Sequence, residues 1–126
     1  MNSPTTLKAG VEASKDFEAF SWMLPNFLDG FYYQPSAALI EEEPPLVADQ
    51  MEQGAVIDAY VAATAETLAR QFRFPIPEWV YGAGRICQKP FFTMHTPAGR
   101  AFVLAYTPAA FKNRQLFVGV EPLSRV

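Results

Sequence analysis

Eleven prolines punctuate these 126 residues, and that punctuation limits the architecture more than any other feature. Proline fixes its own backbone and lacks an N–H, so it suits the first turn of a helix and not a long helical interior. With eighteen aromatic residues added, a regular bundle of long helices is excluded. The expected fold is all-α: a compact single domain with a long central helix, several shorter proline-started helices, and irregular connections rich in aromatics.

The central helix is the clearest element. From Ala55 to Phe72, Ile57, Tyr60, Val61, Thr64, Leu68 and Phe72 recur at helical spacing, while Asp58 and Glu66 sit elsewhere on the wheel. Alanine, the best helix former, is frequent here. Arg70 and Arg73 fall at the C-terminal end, where cations complement the helix dipole. At about 1.5 Å per residue the segment spans roughly 27 Å, the width of a domain this size. Pro75-Ile76-Pro77 stops it.

Residues 1–13 are polar and small and read as a disordered leader, which places the helical domain at 14–126. Ser14 is the expected N-cap of a helix with Phe17, Phe20, Leu24, Phe27, Leu28 and Phe31 on one face. Pro25 either kinks that helix or starts a second one. Pro35–Ile40 reads as a helical turn, and Glu41-Glu42-Glu43-Pro44-Pro45 as an exposed connector. Leu46–Gln53 reads as the start of another helix, with Gly54 a weak point. Pro77 opens a short helix through Tyr81, and Arg85–Thr96 reads as loop or a short edge strand. Ala98–Tyr106 is the next helix, with Phe102, Val103 and Tyr106 on a face. Thr107-Pro108 starts another, which carries Phe111. Leu116-Phe117-Val118 is extended or buried, and Glu121–Arg125 forms a last helical turn.

Half of the residues are apolar, enough for a chain of this length to bury a core without a disulfide or metal. The single cysteine, Cys87, fits a reducing cytoplasm. Met1–Gly10 lacks the apolar core of a signal peptide, and Ala101–Tyr106 is far short of the ~20 residues of a membrane span. The expected setting is therefore cytoplasmic, away from the membrane.

The net charge of −3 conceals an asymmetry. Residues 1–69 carry two lysines against eleven acids, net −9, and residues 70–126 carry eight cations against two acids, net +6. Either the halves pack together and satisfy each other, or the imbalance addresses a charged partner. The overall acidity, with an isoelectric point near 5.1, argues against general nucleic-acid affinity.

No residue pattern announces catalysis. His95 is the only histidine and has no acid within fifteen residues to orient it. Cys87 lies near Arg85 and Lys89, which lower a thiol pKa when they face it; the alternative is a small buried hydrophobe. Consecutive side chains at Glu41, Glu42 and Glu43 do not converge on a metal, and Asp58 and Glu66 stand two helical turns apart. Phosphate-loop, dinucleotide and nucleophile-elbow motifs are missing. No catalytic, metal or cofactor-binding residue is assigned, and no cofactor is expected. What remains is the basic half, where Arg100, Lys112, Arg114 and Arg125 alternate with Phe102, Tyr106, Phe111 and Phe117. Arginine beside aromatics suits a protein interface and also the gripping of phosphates and bases. Helices that bury aromatics and solvate cations give the same pattern.

Three blocks carry a family resemblance: Pro77-Glu78-Trp79, Lys89-Pro90-Phe91-Phe92, and Thr107-Pro108-Ala109-Ala110-Phe111-Lys112-Asn113-Arg114-Gln115-Leu116-Phe117-Val118 followed by Leu123-Ser124-Arg125. Over roughly residues 54–126 the chain resembles an uncharacterised bacterial family of short proteins with the pattern P-x-W, P-W-F, S-P-x-x-F-R-x-R-N-I-F-V and L-S-R. It departs at Phe91 (tryptophan in the pattern), Lys112 (arginine) and Gln115 (asparagine). Some members of that family are encoded beside nucleotidyltransferase-like toxin–antitoxin partners, and some carry a helix-turn-helix, which the N-terminal segment here does not read as. The resemblance implies an antitoxin-like or accessory role and supplies no catalytic residue. The expected function is a non-enzymatic protein-interaction module, with Arg100, Lys112, Arg114 and Arg125 as partner-binding residues and the adjacent gene's product as the expected partner. Alternatives are a nucleic-acid-binding regulator on the same basic half, and a small-molecule-binding protein or enzyme with an unrecognised pocket. The aromatic content also suits a homodimer.

Overall fold

The computed structural model describes residues 5–125. Five helices lie in chain order: α1 (Leu7–Ala13), α2 (Phe17–Tyr33), α3 (Gly54–Phe72), α4 (Pro97–Tyr106) and α5 (Ala109–Lys112). Tight turns at Ala37–Leu39, Glu78–Tyr81 and Ala83–Arg85 join them, together with two short strands, β1 (Phe91–Phe92) and β2 (Leu116–Phe117). This is a mostly α single domain arranged on one central helix.

That helix is buried on every side. Val56, Ile57, Asp58, Ala59, Val61, Ala62, Ala63, Thr64, Ala65, Glu66, Leu68 and Ala69 are all removed from solvent. Its alanines let neighbours approach closely around the whole circumference, so α3 is a spine and not a one-faced surface helix. Phe20, Leu24, Phe27, Leu28 and Phe31 of α2 pack toward it. Pro25 sits inside α2 without dividing it. Arg73 ends α3 in the left-handed region (φ 59°), and Phe74 N–H closes back onto Ala69 O at 2.8 Å.

Three expectations are corrected. Residues 7–13 of the expected leader form α1, because the Thr6 hydroxyl accepts from Ala9 N–H at 3.1 Å and Leu7 and Val11 enter the core. Residues 1–4 of that leader lie outside the described residues. The cap of α2 is Asp16, which accepts from Ala19 N–H at 2.7 Å; Ser14 instead closes α1, donating to Gly10 O. Leu46–Gln53 winds through turns, not a helix, because Val47 and Ala48 N–H are drawn sideways onto the Asp58 carboxylate at 2.8 and 3.0 Å.

Gly54 makes that loop feasible. A Cβ there would stand 2.1 Å from Val47 O, so only glycine lets the turn lie against the start of α3. Downstream, β1 and β2 pair in parallel, Phe91 beside Leu116 and Phe92 beside Phe117. Parallel pairing requires a crossover connection, and here α4 and α5 supply it.

Candidate functional site

Two arginines from the basic half are buried against α3. Arg85 is the largest fully buried side chain, 1% exposed. It donates to Asp58 O at 3.3 Å, Glu43 Oε2 at 3.0 Å and Pro44 O, and its guanidinium lies 4.9 Å from the Trp79 ring centre. Its charge stands 3.9 Å from Asp58 Oδ1. Burial pushes the Asp58 carboxyl above its usual 3.8, against the opposing pull of Val47 N–H, the Arg85 charge and Ala48 N–H.

Arg114 forms the second staple. It donates to Glu66 Oε1 at 2.7 Å, Ala110 O at 2.7 Å and Val80 O at 2.8 Å. Glu66 Oε2 accepts from Arg70 at 3.0 Å and from the Tyr81 hydroxyl at 3.1 Å. Burial alone would raise the Glu66 carboxyl. The Arg114 and Arg70 hydrogen bonds, the Arg114 charge and the Tyr81 hydroxyl outweigh it, and the group sits below its usual 4.5. The acids on α3 therefore hold three arginines of the late half, Asp58 facing Arg85, and Glu66 binding Arg70 and Arg114.

The four partner-binding candidates thus separate. Arg114 is 4% exposed and committed to Glu66. Arg125 lies on the surface, clamped in two hydrogen bonds to Asp29 at 2.9 and 3.2 Å. Arg100 and Lys112 form no ion pair among the described residues. Arg100 is exposed and rests 4.7 Å over the Phe92 ring, which stacks on Phe117 at 4.9 Å.

Arg100 belongs to α4, the least covered long element of the fold. Of its ten residues only Gly99 and Val103 are buried, and Val103 stands apart from the main core cluster. Helical periodicity then turns Ala98, Ala101 and Ala105 outward. Phe102 and Tyr106 flank them on one side, rings 5.0 Å apart, with Leu104 and Arg100 on the other. Phe102, Leu104 and Tyr106 remain 47%, 46% and 61% exposed. The helix is nonetheless firmly placed. Thr96 caps its start, accepting from Gly99 N–H at 3.0 Å. At its end the Thr107 hydroxyl donates to Val103 O and accepts from Val118 and Gly119 N–H at 3.1 and 3.0 Å. From Trp79 to Val120 the sequence contains no acid, so α4 and the chain on either side of it carry apolar residues and cations.

Sequence periodicity puts Phe102, Val103 and Tyr106 on one face; of these three the structure buries Val103 alone. The missed signal is that α4 has no polar face to turn outward, since Arg100 is its one charged residue. Cys87 is buried, donating weakly to Ala55 O at 3.7 Å. Burial and then the Asp58 charge push its thiol up to about 11, so the neighbouring cations do not activate it. His95 is exposed in the turn before α4. Among the described residues no three His, Cys, Asp or Glu side chains gather as a metal site, and no helix is long and apolar enough to cross a membrane. No protein-family model, curated protein or solved structure matches the chain.

Proposed function

We propose that the chain is a non-enzymatic protein-interaction module, antitoxin-like or accessory to the product of an adjacent gene, and that it docks through α4. The observation that carries this reading is a well-anchored helix whose outward side is apolar. Three large exposed hydrophobic side chains lie on this one short helix, and contiguous exposed apolar surface marks interaction sites. The three outward alanines permit a partner helix to approach closely, within the 8–10 Å typical of packed helices, and Phe102 and Tyr106 form a wall beside it. Arg100 and Lys112, free of acids on this half, favour an amphipathic partner helix flanked by Asp and Glu. The acids best suited to proton transfer, Asp58 and Glu66, are engaged in buried structural pairs, which supports a role in binding over one in catalysis.

Co-expression with the adjacent gene's product and co-purification tests this. The expected result is a stable complex that Ala101→Arg and Phe102→Asp abolish while circular dichroism and Tm stay unchanged, and that Arg100→Glu with Lys112→Glu weakens. A complex indifferent to all four substitutions would refute docking on α4. Salt-steep binding to DNA in place of the protein complex would favour the nucleic-acid alternative. A homodimer that Ala101→Arg dissolves would make a second copy the occupant.

A further inference from the structure

Behind the C-terminal segment lies a cavity of about 370 Å³ that the α4 reading does not use. Its walls are Phe17, Phe20, Leu24 and Leu28 of α2, with Val56 and Tyr60 of α3. Pro122 and Arg125 close one rim, in a strap held by Tyr32 donating to Leu123 O at 3.0 Å and by the Arg125–Asp29 pair. The volume lies within the ~300–1,000 Å³ of small-molecule sites.

Besides Ser21, Thr93, Ser124 and Arg125, the lining carries one phenol, that of Tyr60 on α3. Tyr60 is fixed between Phe20 and Phe111, edge-on at 6.2 and 5.1 Å. Its backbone oxygen accepts from the Thr64 hydroxyl at 2.8 Å, while its own hydroxyl has no partner among the described residues. A half-buried phenol that lines a cavity and bonds to no protein group is free to donate to whatever occupies that cavity. The charge at the rim is already spent, since Arg125 is paired with Asp29. No unpaired charge lines the cavity to receive an ionised ligand.

We propose that this cavity binds one small, neutral, largely apolar molecule whose single carbonyl-type acceptor takes the hydrogen bond of the Tyr60 hydroxyl. Burial lifts the phenol to about 12, so it remains a donor throughout the physiological pH range. In this proposal the ligand enters past Ser21, an exposed residue of the lining.

Prodan, a neutral naphthyl ketone whose emission reports both polarity and hydrogen bonding, is the test probe. Titration should give saturable one-to-one binding with blue-shifted emission. Tyr60→Phe keeps the walls and removes the donor. It should weaken binding roughly threefold to tenfold, the worth of one neutral hydrogen bond, and move emission further to the blue. Ser21→Trp fills the entrance from an exposed position and should abolish binding; both variants should retain the wild-type Tm. Absence of saturable binding would overturn the proposal, as would a Tyr60→Phe protein with wild-type affinity and emission. Binding that survives Ser21→Trp and disappears in Phe102→Asp would place the dye on α4 and overturn it equally.

Discussion

Arg85 and Arg114 show how far one residue's role depends on what the chain folds against. Each places a guanidinium where water does not reach; carbonyl oxygens and a carboxylate accept from its terminal nitrogens, while its Nε has no partner among the described residues. Arginine suits this task because its charge is delocalised and its planar fork donates in several directions. Such pairs add little when compared with a well-packed apolar substitute, but removing one partner strands the other. Glu66→Ala should therefore cost about 3–5 kcal/mol in urea denaturation, with Arg114 left buried and unpaired. Glu66→Gln isolates the charge. The folded carboxyl is held below its usual 4.5, so its contribution is complete above that value and disappears as pH falls through the lower folded value. Asp58 runs the opposite way: its raised folded value makes its charge a cost that grows as pH rises through the usual 3.8. The stability gap between wild type and Glu66→Gln should thus be widest near neutrality and close in acid, which thermal melts from pH 7 to pH 3 will show. A gap that widens toward acid would contradict the assignment. At Cys87, a thiol pushed up to about 11 and buried should react with iodoacetamide at pH 8 far more slowly than free cysteine.

At the scale of elements, proline and capping rules reached most of the fold. Ala55–Phe72 was legible because its period is helical and two prolines follow it, and α4 from its apolar residues, although its Thr96 cap and Pro97 fell outside the expected Ala98–Tyr106. What escaped depends on contacts between distant residues. Glu66 meets Arg114 across 48 positions and Arg85 meets Glu43 across 42, so no local pattern reveals that these arginines are internal. The same holds for α4, where local periodicity suggests a buried stripe and only the absence of a polar face hints otherwise. Gly54 is the sharpest case. Local propensity ranks alanine about 1 kcal/mol above glycine in a helix. The structure reverses that ranking, since a methyl group would stand 2.1 Å from Val47 O and push away the loop whose N–H groups hold Asp58. Gly54→Ala should lower stability by about 1–3 kcal/mol, the usual cost of overpacking, in a denaturant titration. A stabilised variant would show that the loop yields freely.

At the scale of the whole molecule, the charge asymmetry divides into two populations with different consequences. Arg70, Arg85, Arg114 and Arg125 each pair with an acid of the first half, so a large part of the imbalance joins the halves. Arg73, Lys89, Arg100 and Lys112 have no ion pair among the described residues and leave a cationic surface. Salt separates these populations. Exposed charges are screened over about 8–10 Å at physiological ionic strength, whereas buried pairs are screened far less. The Arg114–Glu66 pair is buried on both sides, and Arg85 and Asp58 are each 1% exposed. The exposed Lys8–Glu42 and Arg125–Asp29 pairs are open to that screening and add little to stability. Raising NaCl from about 50 mM to about 500 mM should therefore move Tm by no more than a few degrees in calorimetry, while the proposed complex through α4 forms more slowly because Arg100 and Lys112 lose their long-range pull. A Tm that collapses in salt would mean that surface attraction, not the buried arginines, joins the acidic and basic halves. An association rate indifferent to salt would remove the electrostatic part of the partner's description and leave only the apolar face of α4 to define it.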